Sequence, residues 1–207
     1  MFYKASEPHG LPHNPFNGLI IPRPIGWISS MDKDSNVNLA PYSFFNGVSY
    51  FPPQVMFSST GPHAQHDGPK DSIRNILETG EFVHNIATWP LREALNMSAI
   101  SAPHGVDEFE LAGLTPAPSV MGAPPRVKES PIQLECKLVK VVDLPATQEN
   151  GSNTVIFGEV IGIHIDDAVL VDGMVDIRKV DPIARLGYRD YARITDVFSM
   201  DRPNWPL

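Results

Sequence analysis

The clearest period-two alternation lies at residues 132–144. There Ile132, Leu134, Cys136 and Leu138 face one way and Gln133, Glu135 and Lys137 the other, the mark of a half-buried strand. Residues 154–165 carry apolar side chains on both faces and read as a second strand, set off by a polar break at 145–153 that contains Asn150-Gly151. Shorter extended segments are predicted at 25–30, 37–40, 54–59 (bounded by Pro53 and Gly61) and 81–87. The Asp32-Lys-Asp-Ser-Asn36 cluster is a turn, and Asp172-Gly173 marks a tight hairpin. A spacing of three and four appears at 71–79, through Ile73, Ile76 and Leu77. Asp71 or Ser72 can cap its start, and Gly80 stands where a helix-ending glycine belongs. A second helix is predicted over 91–100, with Leu91, Ala94, Leu95 and Ser98 on one side. Residues 101–130 are rich in Pro and Gly and predict little beyond a turn of helix at 107–111. At least six strands with two interleaved helices, mostly joined by turns too short for parallel crossovers, predict a mainly β fold. The expected architecture is an antiparallel barrel in one domain spanning 1–207.

Composition bounds the function. Among 207 residues, Lys+Arg 16 against Asp+Glu 24 gives a net charge of −8, which argues against sequence-independent nucleic-acid binding and against an anionic membrane surface. Hydrophobic content of 42% with 19% charged residues is that of a globular chain. Cys136 is the only cysteine, so no intrachain disulfide and no cysteine-based metal cluster is possible. Neither a signal-peptide-like start nor a run of the ~20 apolar residues that span a bilayer is present, and the expectation is a soluble, cytoplasmic protein. The 21 prolines are dispersed in singles and pairs, so they punctuate the chain rather than form a linker. Four of them (Pro8, Pro12, Pro15, Pro22) make residues 1–22 an extended arm. Such an arm suits wrapping a second subunit, although a disordered tail explains it equally well.

The candidate chemistry begins with exclusions. No Gly-x-Gly-x-x-Gly follows a strand and no Gly-x-x-x-x-Gly-Lys-Ser/Thr occurs, so neither a Rossmann fold nor a P-loop is supported. His63 and His66 are spaced to clip a metal, but they sit in a Pro/Gly loop with no third ligand suggested nearby. Cys136, on the apolar face of its strand, reads as a small core residue. His84, His104 and His164 are isolated and read as structural. The informative region is 38–75. Asn38-Leu-Ala-Pro-Tyr-Ser-Phe-Phe-Asn46 packs hydroxyl, amide and aromatic groups beside a proline expected to free the backbone from regular pairing. Ser58-Ser59-Thr60-Gly61 puts three hydroxyls at a strand end, and Lys70 stands directly ahead of the helix begun by Asp71-Ser72. Hydroxyls, a lysine and the positive end of a helix make a phosphate cradle. Equally, the Asp71 carboxylate can cap the helix itself and take the anion's place.

These segments, with Arg23-Pro-Ile-Gly-Trp-Ile-Ser-Ser30, Pro52-Pro-Gln-Val-Met-Phe-Ser58, Lys70-Asp-Ser-Ile-Arg-Asn75, Gly80-Glu-Phe-Val-His-Asn-Ile86, Glu108-Phe-Glu-Leu-Ala-Gly-Leu114, Leu134-Glu-Cys136 and Gly158-Glu-Val160, resemble the flavin reductase-like, FMN-binding split-barrel family from about residue 23 to 194. The resemblance implies a six-stranded Greek-key split barrel, dimeric, with flavin near the subunit interface. It implies that Trp27 and Ser29 lie near the flavin and that Ala40, Pro41 and Tyr42 line its ring pocket. Ser43, Phe44 and Asn46, with Ser58 and Ser59, would hold the ribityl chain and phosphate. Lys70, Asp71 and Ser72 match the family's Lys-Asp-Thr segment with Ser in place of Thr, which retains the hydroxyl. Arg185 and Tyr188 match a C-terminal loop that approaches the ring. The alternatives are ordinary ones: Trp27, Tyr42 and Phe44 as core aromatics, Ser58 and Ser59 as locally bonded strand-end residues, and Arg185 as an ion-pair partner.

Because hydride chemistry belongs to the flavin ring, no catalytic triad is needed, and none is found. The leading expectation is an NAD(P)H:flavin oxidoreductase that passes electrons to a monooxygenase or another acceptor. FMN is expected, FAD is possible, and NADH and NADPH are equally open. One alternative is a flavoredoxin-like FMN electron carrier that does not oxidise nicotinamides. Another is a barrel whose pocket serves binding or oligomerisation without redox chemistry.

Overall fold

The computed structural model describes residues 1–61, 64, 68–147 and 151–205. In chain order it contains α1 (Phe16–Leu19), β1 (Gly26–Met31), β2 (Val37–Tyr42), β3 (Phe45–Tyr50), β4 (Pro53–Thr60), α2 (Asp71–Thr79) and β5 (Glu81–Ile86). Then come α3 (Arg92–Met97), α4 (Glu108–Ala112), β6 (Pro116–Ala117), β7 (Arg126–Val127), β8 (Ile132–Leu144) and β9 (Asn153–Ile165). The C-terminal part holds β10 (Leu170–Val171), β11 (Met174–Val175), α5 (Ile177–Val180), β12 (Ile183–Arg185) and β13 (Tyr191–Arg193).

Seven strands form one sheet in the order β2-β1-β5-β8-β9-β4-β3, antiparallel at every step. Its edges, β2 and β3, are consecutive in the chain, and the sheet curls to bring them together. The rings of Tyr42 on β2 and Phe57 on β4 lie 4.7 Å apart, and Ser58 N donates to Phe44 O at 2.8 Å. No ladder joins β2 to β3, so the barrel stays open along one seam. After the β1–β4 run the chain returns through α2 to lay β5 beside β1, a Greek-key return. Right-handed twist supplies the curl, and glycine removes the bulk that would resist it. Gly26 lies against the ring of Phe45 and Gly158 against that of Phe82, where an added Cβ would strike the ring.

Two apolar clusters stabilise the two faces of this wall. Inside the barrel are Ile28, Tyr42, Val55, Phe57, Phe82, Cys136 and Ile156, closed at one end by Ile73 and Ile76 of α2. Outside, Trp27 and Leu39 pack with Leu95 of α3, Phe109 of α4, Val127 and Ile183. Alternation along β1 sends Trp27 out and Ile28 in, which is why both neighbours are completely buried.

Several expectations are corrected. The sheet has seven strands rather than six, because residues 45–50 form β3. Its burial runs mostly exposed, so no apolar alternation announced it. Pro41 does not free its segment from pairing: it sits opposite Trp27 within β2, tolerated because β2 is an edge strand with one side unpaired. The helix expected over 91–100 is shortened to Arg92–Met97. The extended arm contains one turn of helix, α1, and the region 101–130 contains β6 and β7. The Asp172-Gly173 hairpin is present, with both residues at positive φ (50° and 77°). The spacing of His63 and His66 lies outside the described residues. No helix among the described residues is long and apolar enough to cross a membrane.

Candidate functional site

A groove of about 400 Å3 runs along the open seam. One wall is the free edge of β2 from Asn38 to Tyr42 with the following turn residues Ser43 and Phe44, and the floor is the end of β4 at Ser58 and Thr60. Lys70, Asp71 and Ser72 at the start of α2 close one end, and residues 98–101 after α3 form the opposite wall. An edge strand leaves one row of backbone groups without partners in the sheet. On β2 the Leu39 N–H is taken by Glu108 and Pro41 has no N–H, so this edge offers the groove carbonyl acceptors. The side chains add polarity at the α2 end and apolar surface, from Ala40, Pro41 and Phe44, further along.

Lys70 is the cation of this end. Its Nζ donates to Thr60 O at 3.1 Å and meets no carboxylate among the described residues, and burial lowers its pKa. The hydroxyls of Ser43, Ser58 and Thr60 have no side-chain partner among the described residues. Asp71 complicates the end, as its sequence position suggested it would, but its charge is offset. One carboxylate oxygen pairs with Arg74 and with His104 Nδ1 at 2.9 Å.

Beneath the groove lies a buried polar network. Ser72 Oγ donates to Asn38 Oδ1 at 2.5 Å. Asn38 Nδ2 and Leu39 N both donate to Glu108 Oε2 at 3.0 Å. Burial raises the Glu108 pKa against those hydrogen bonds. Burial also pushes the Tyr42 hydroxyl up to about 12, opposed by hydrogen bonds with Ser72 and Ser59 and reinforced by the charges of Asp71 and Glu108. Tyr42 is thus a neutral phenol that orders the floor, and proton abstraction is not its role at ordinary pH.

The residues singled out from the sequence divide into three groups. Ala40, Pro41, Tyr42, Ser43, Phe44, Ser58, Lys70, Asp71 and Ser72 converge on the groove. Arg185 and Tyr188 line a second cavity, of about 200 Å3, that shares Asn17, Pro41, Ser43 and Ala99 with it. Four lie elsewhere. Trp27 is fully buried on the helix-covered face with Nε1 donating to Ser98 Oγ at 2.9 Å, the core alternative. Ser29 is also fully buried and donates to Pro125 O at 2.5 Å. Ser59 points inward to Tyr42, and Asn46 is exposed, its Oδ1 accepting from Gly47 N. Sequence reasoning missed Asn17, Asn38, Glu108 and the 98–101 wall, which come from distant segments with no local signal. Asn38 alone had one, as the first residue of the polar-aromatic stretch.

The comparisons with known proteins bear on the same region. Residues 18–182 match the family described as Flavin reductase like domain. The chain belongs to the flavin reductase-like family. It is 40% identical over 177 residues to an uncharacterized protein of Aquifex aeolicus, covering 85% of this chain and 86% of that one. Among solved structures, nitrilotriacetate monooxygenase component B from Bacillus cereus is 32% identical with a TM-score of 0.82, over 94% of this chain and all (100%) of that one. Flavoredoxin of Desulfovibrio vulgaris (Miyazaki F) is 25% identical with a TM-score of 0.74, over 87% and 91% of the two chains. The flavin reductase-like fold is the antiparallel split barrel described above, and flavin is the ligand class of the family.

The groove's chemistry fits such a ligand. A phosphomonoester calls for a cation and hydroxyl donors, which Lys70, Ser58 and Thr60 supply at one end. A flat heterocycle with polar edges calls for apolar faces and backbone hydrogen-bonding groups, which Ala40, Pro41, Phe44 and the free edge of β2 supply further along.

Proposed function

We propose that this protein is a flavin oxidoreductase that holds FMN in the seam groove, takes reducing equivalents from NADH or NADPH and hands electrons to a monooxygenase or another acceptor. The observation that carries this reading is the pairing, in one open groove, of Lys70, which meets no carboxylate among the described residues, and hydroxyls without a side-chain partner among them, at one end, with an edge strand unpaired on that side at the other. Lys70, Ser58 and Thr60 would grip the phosphate, while Ser72 and Asn38 hold the start of α2 against β2. The β2 edge would orient the ring, and Pro41 and Phe44 would keep water from one of its faces. Bound there, FMN would supply the hydride and electron chemistry, which is why the chain needs no acid–base constellation of its own. With no Gly-x-Gly-x-x-Gly fingerprint in the sequence, the nucleotide would dock transiently at the open side of the groove. The likeness to a monooxygenase component B supports the onward transfer. The exposed apolar side chains of the termini, such as Phe2, Phe198 and Trp205, suit a homodimer built around the arm.

Likeness to a flavoredoxin favours a second reading, an FMN carrier reduced only by another protein. Anaerobic absorption spectra of the FMN-loaded protein, before and after NADH or NADPH, separate the two. Bleaching of the flavin bands by either nucleotide is expected. Bound flavin that neither nucleotide bleaches removes the reductase reading and leaves the carrier.

A further inference from the structure

Beyond the groove's Pro41 end lies the cavity of about 200 Å3 lined by Arg23, Arg185, Tyr188 and Tyr191. We propose that this cavity is a binding site for a small planar carboxylate of benzoate size, held by the Arg23–Arg185 pair and stacked between tyrosines.

Charge is the first argument. No Asp or Glu lines the cavity, and neither arginine meets a carboxylate among the described residues. Arg23 is only 6% exposed. Its guanidinium donates to Ile20 O at 2.7 Å, to Leu186 O at 2.8 Å and to Asn17 O, yet its Nε is buried with no partner. Three neutral carbonyls do not cancel a buried positive charge, which ordinarily comes with a counter-ion. Burial, and then the nearby Arg185 charge, lower the Arg23 pKa. The two side chains spring from residues that exchange backbone hydrogen bonds, Arg23 N to Arg185 O and Arg185 N to Arg23 O, each 2.9 Å. The backbone thus holds two like charges side by side, an arrangement an anion relieves.

The walls narrow the class. The Arg185 guanidinium lies 4.5 Å from the centroid of Tyr191 and donates to Tyr188 O at 2.5 Å. Tyr188 itself sits at φ 55°, a conformation that a bulky residue seldom adopts without compensation and that clusters at ligand sites. Guanidinium forks match the geometry of a carboxylate, and tyrosine and proline surfaces suit a flat ring. A phosphate monoester would find better donors at the Lys70 end.

The test uses benzoate on the full-length, flavin-free protein by isothermal titration calorimetry, with benzyl alcohol and acetate as probes lacking the charge or the ring. Saturable benzoate binding is expected, about tenfold or more tighter than either analogue. Arg185→Ala should weaken it about tenfold or more, Arg185→Lys less, and Lys70→Ala hardly at all. Should Arg185→Ala fail to fold, Tyr191→Leu, which removes the platform, is expected to weaken benzoate several-fold. Absence of saturable binding, or indifference to these Arg185 and Tyr191 changes, overturns the proposal. Loss of benzoate in Lys70→Ala also overturns it, by placing the anion at the other end. No flavin enters the measurement, so its failure leaves the FMN reading intact, and failure of FMN to bind leaves this site standing.

Discussion

His84 shows how little a residue's type says about its work. Its ring is stacked on Phe45 at 4.3 Å, it is 8% exposed, its Nδ1 is buried without a partner, and burial lowers its pKa from 6.5 to about 3. The unfolded chain therefore takes up this proton before the folded one as pH falls. The neutral ring's contribution is complete above pH 6.5 and is lost progressively towards pH 3, so stability rises with pH through that window. The slope owed to one such group is at most about 1.4 kcal/mol per pH unit. Replacing His84 with Phe should keep the stacking and remove this slope. Urea midpoints of both proteins between about pH 6.5 and 5, where few ordinary carboxylates titrate, are the check, and parallel curves would refute it. Trp27 teaches the same lesson from the other side. Both faces of β1 are buried, so alternation could not say whether an aromatic there meets a groove or a core.

At the scale of elements, local rules located α2 well, and β8 emerged over its full length because its apolar residues alternate toward the barrel interior, although Gln133 and Glu135 on its other face are buried as well. The same rules found β2 but ended it two residues early at Ala40, and they missed β3, since a mostly exposed edge strand mixes polar and apolar positions without period. The loop between β6 and β7 is another case, for its order comes from far away. Glu135 on β8 accepts from Val120 N at 2.8 Å and Met121 N at 2.6 Å, and His164 Nε2 on β9 lies 2.5 Å from its carboxylate. Those contacts hold its pKa low against the cost of burial. Glu135→Ala strands two backbone donors, and a loss of about 2–4 kcal/mol is expected. It should appear as a lower denaturation midpoint together with earlier proteolysis at residues 118–124. An unchanged midpoint would show the loop to be held by other means.

For the molecule as a whole, the two apolar clusters share β1 as a common wall, Trp27 on one face and Ile28 on the other. Neither side can open without exposing the other, so a single cooperative transition is expected. Tryptophan fluorescence, whose change Trp27 dominates because Trp205 is exposed (89%) and Trp89 partly so (37%), should coincide with far-UV circular dichroism. Two separated midpoints would mean that the helix-covered face is a unit of its own. The sequence by itself determined the antiparallel strands, the helix that ends at Gly80 with Lys70 at its start and the hairpin at Asp172-Gly173, because each obeys rules that act over a few neighbouring residues. At that helix Lys70, and not Asp71 or Ser72, takes the N-cap position, and no N-cap side-chain hydrogen bond forms. Only the tertiary structure decided that the β2 edge faces an open seam, that Trp27 turns away from it and that Glu108 and Arg23 stand beside it. Those outcomes depend on how the barrel curls and which distant segments the curl brings together, and no local pattern encodes that.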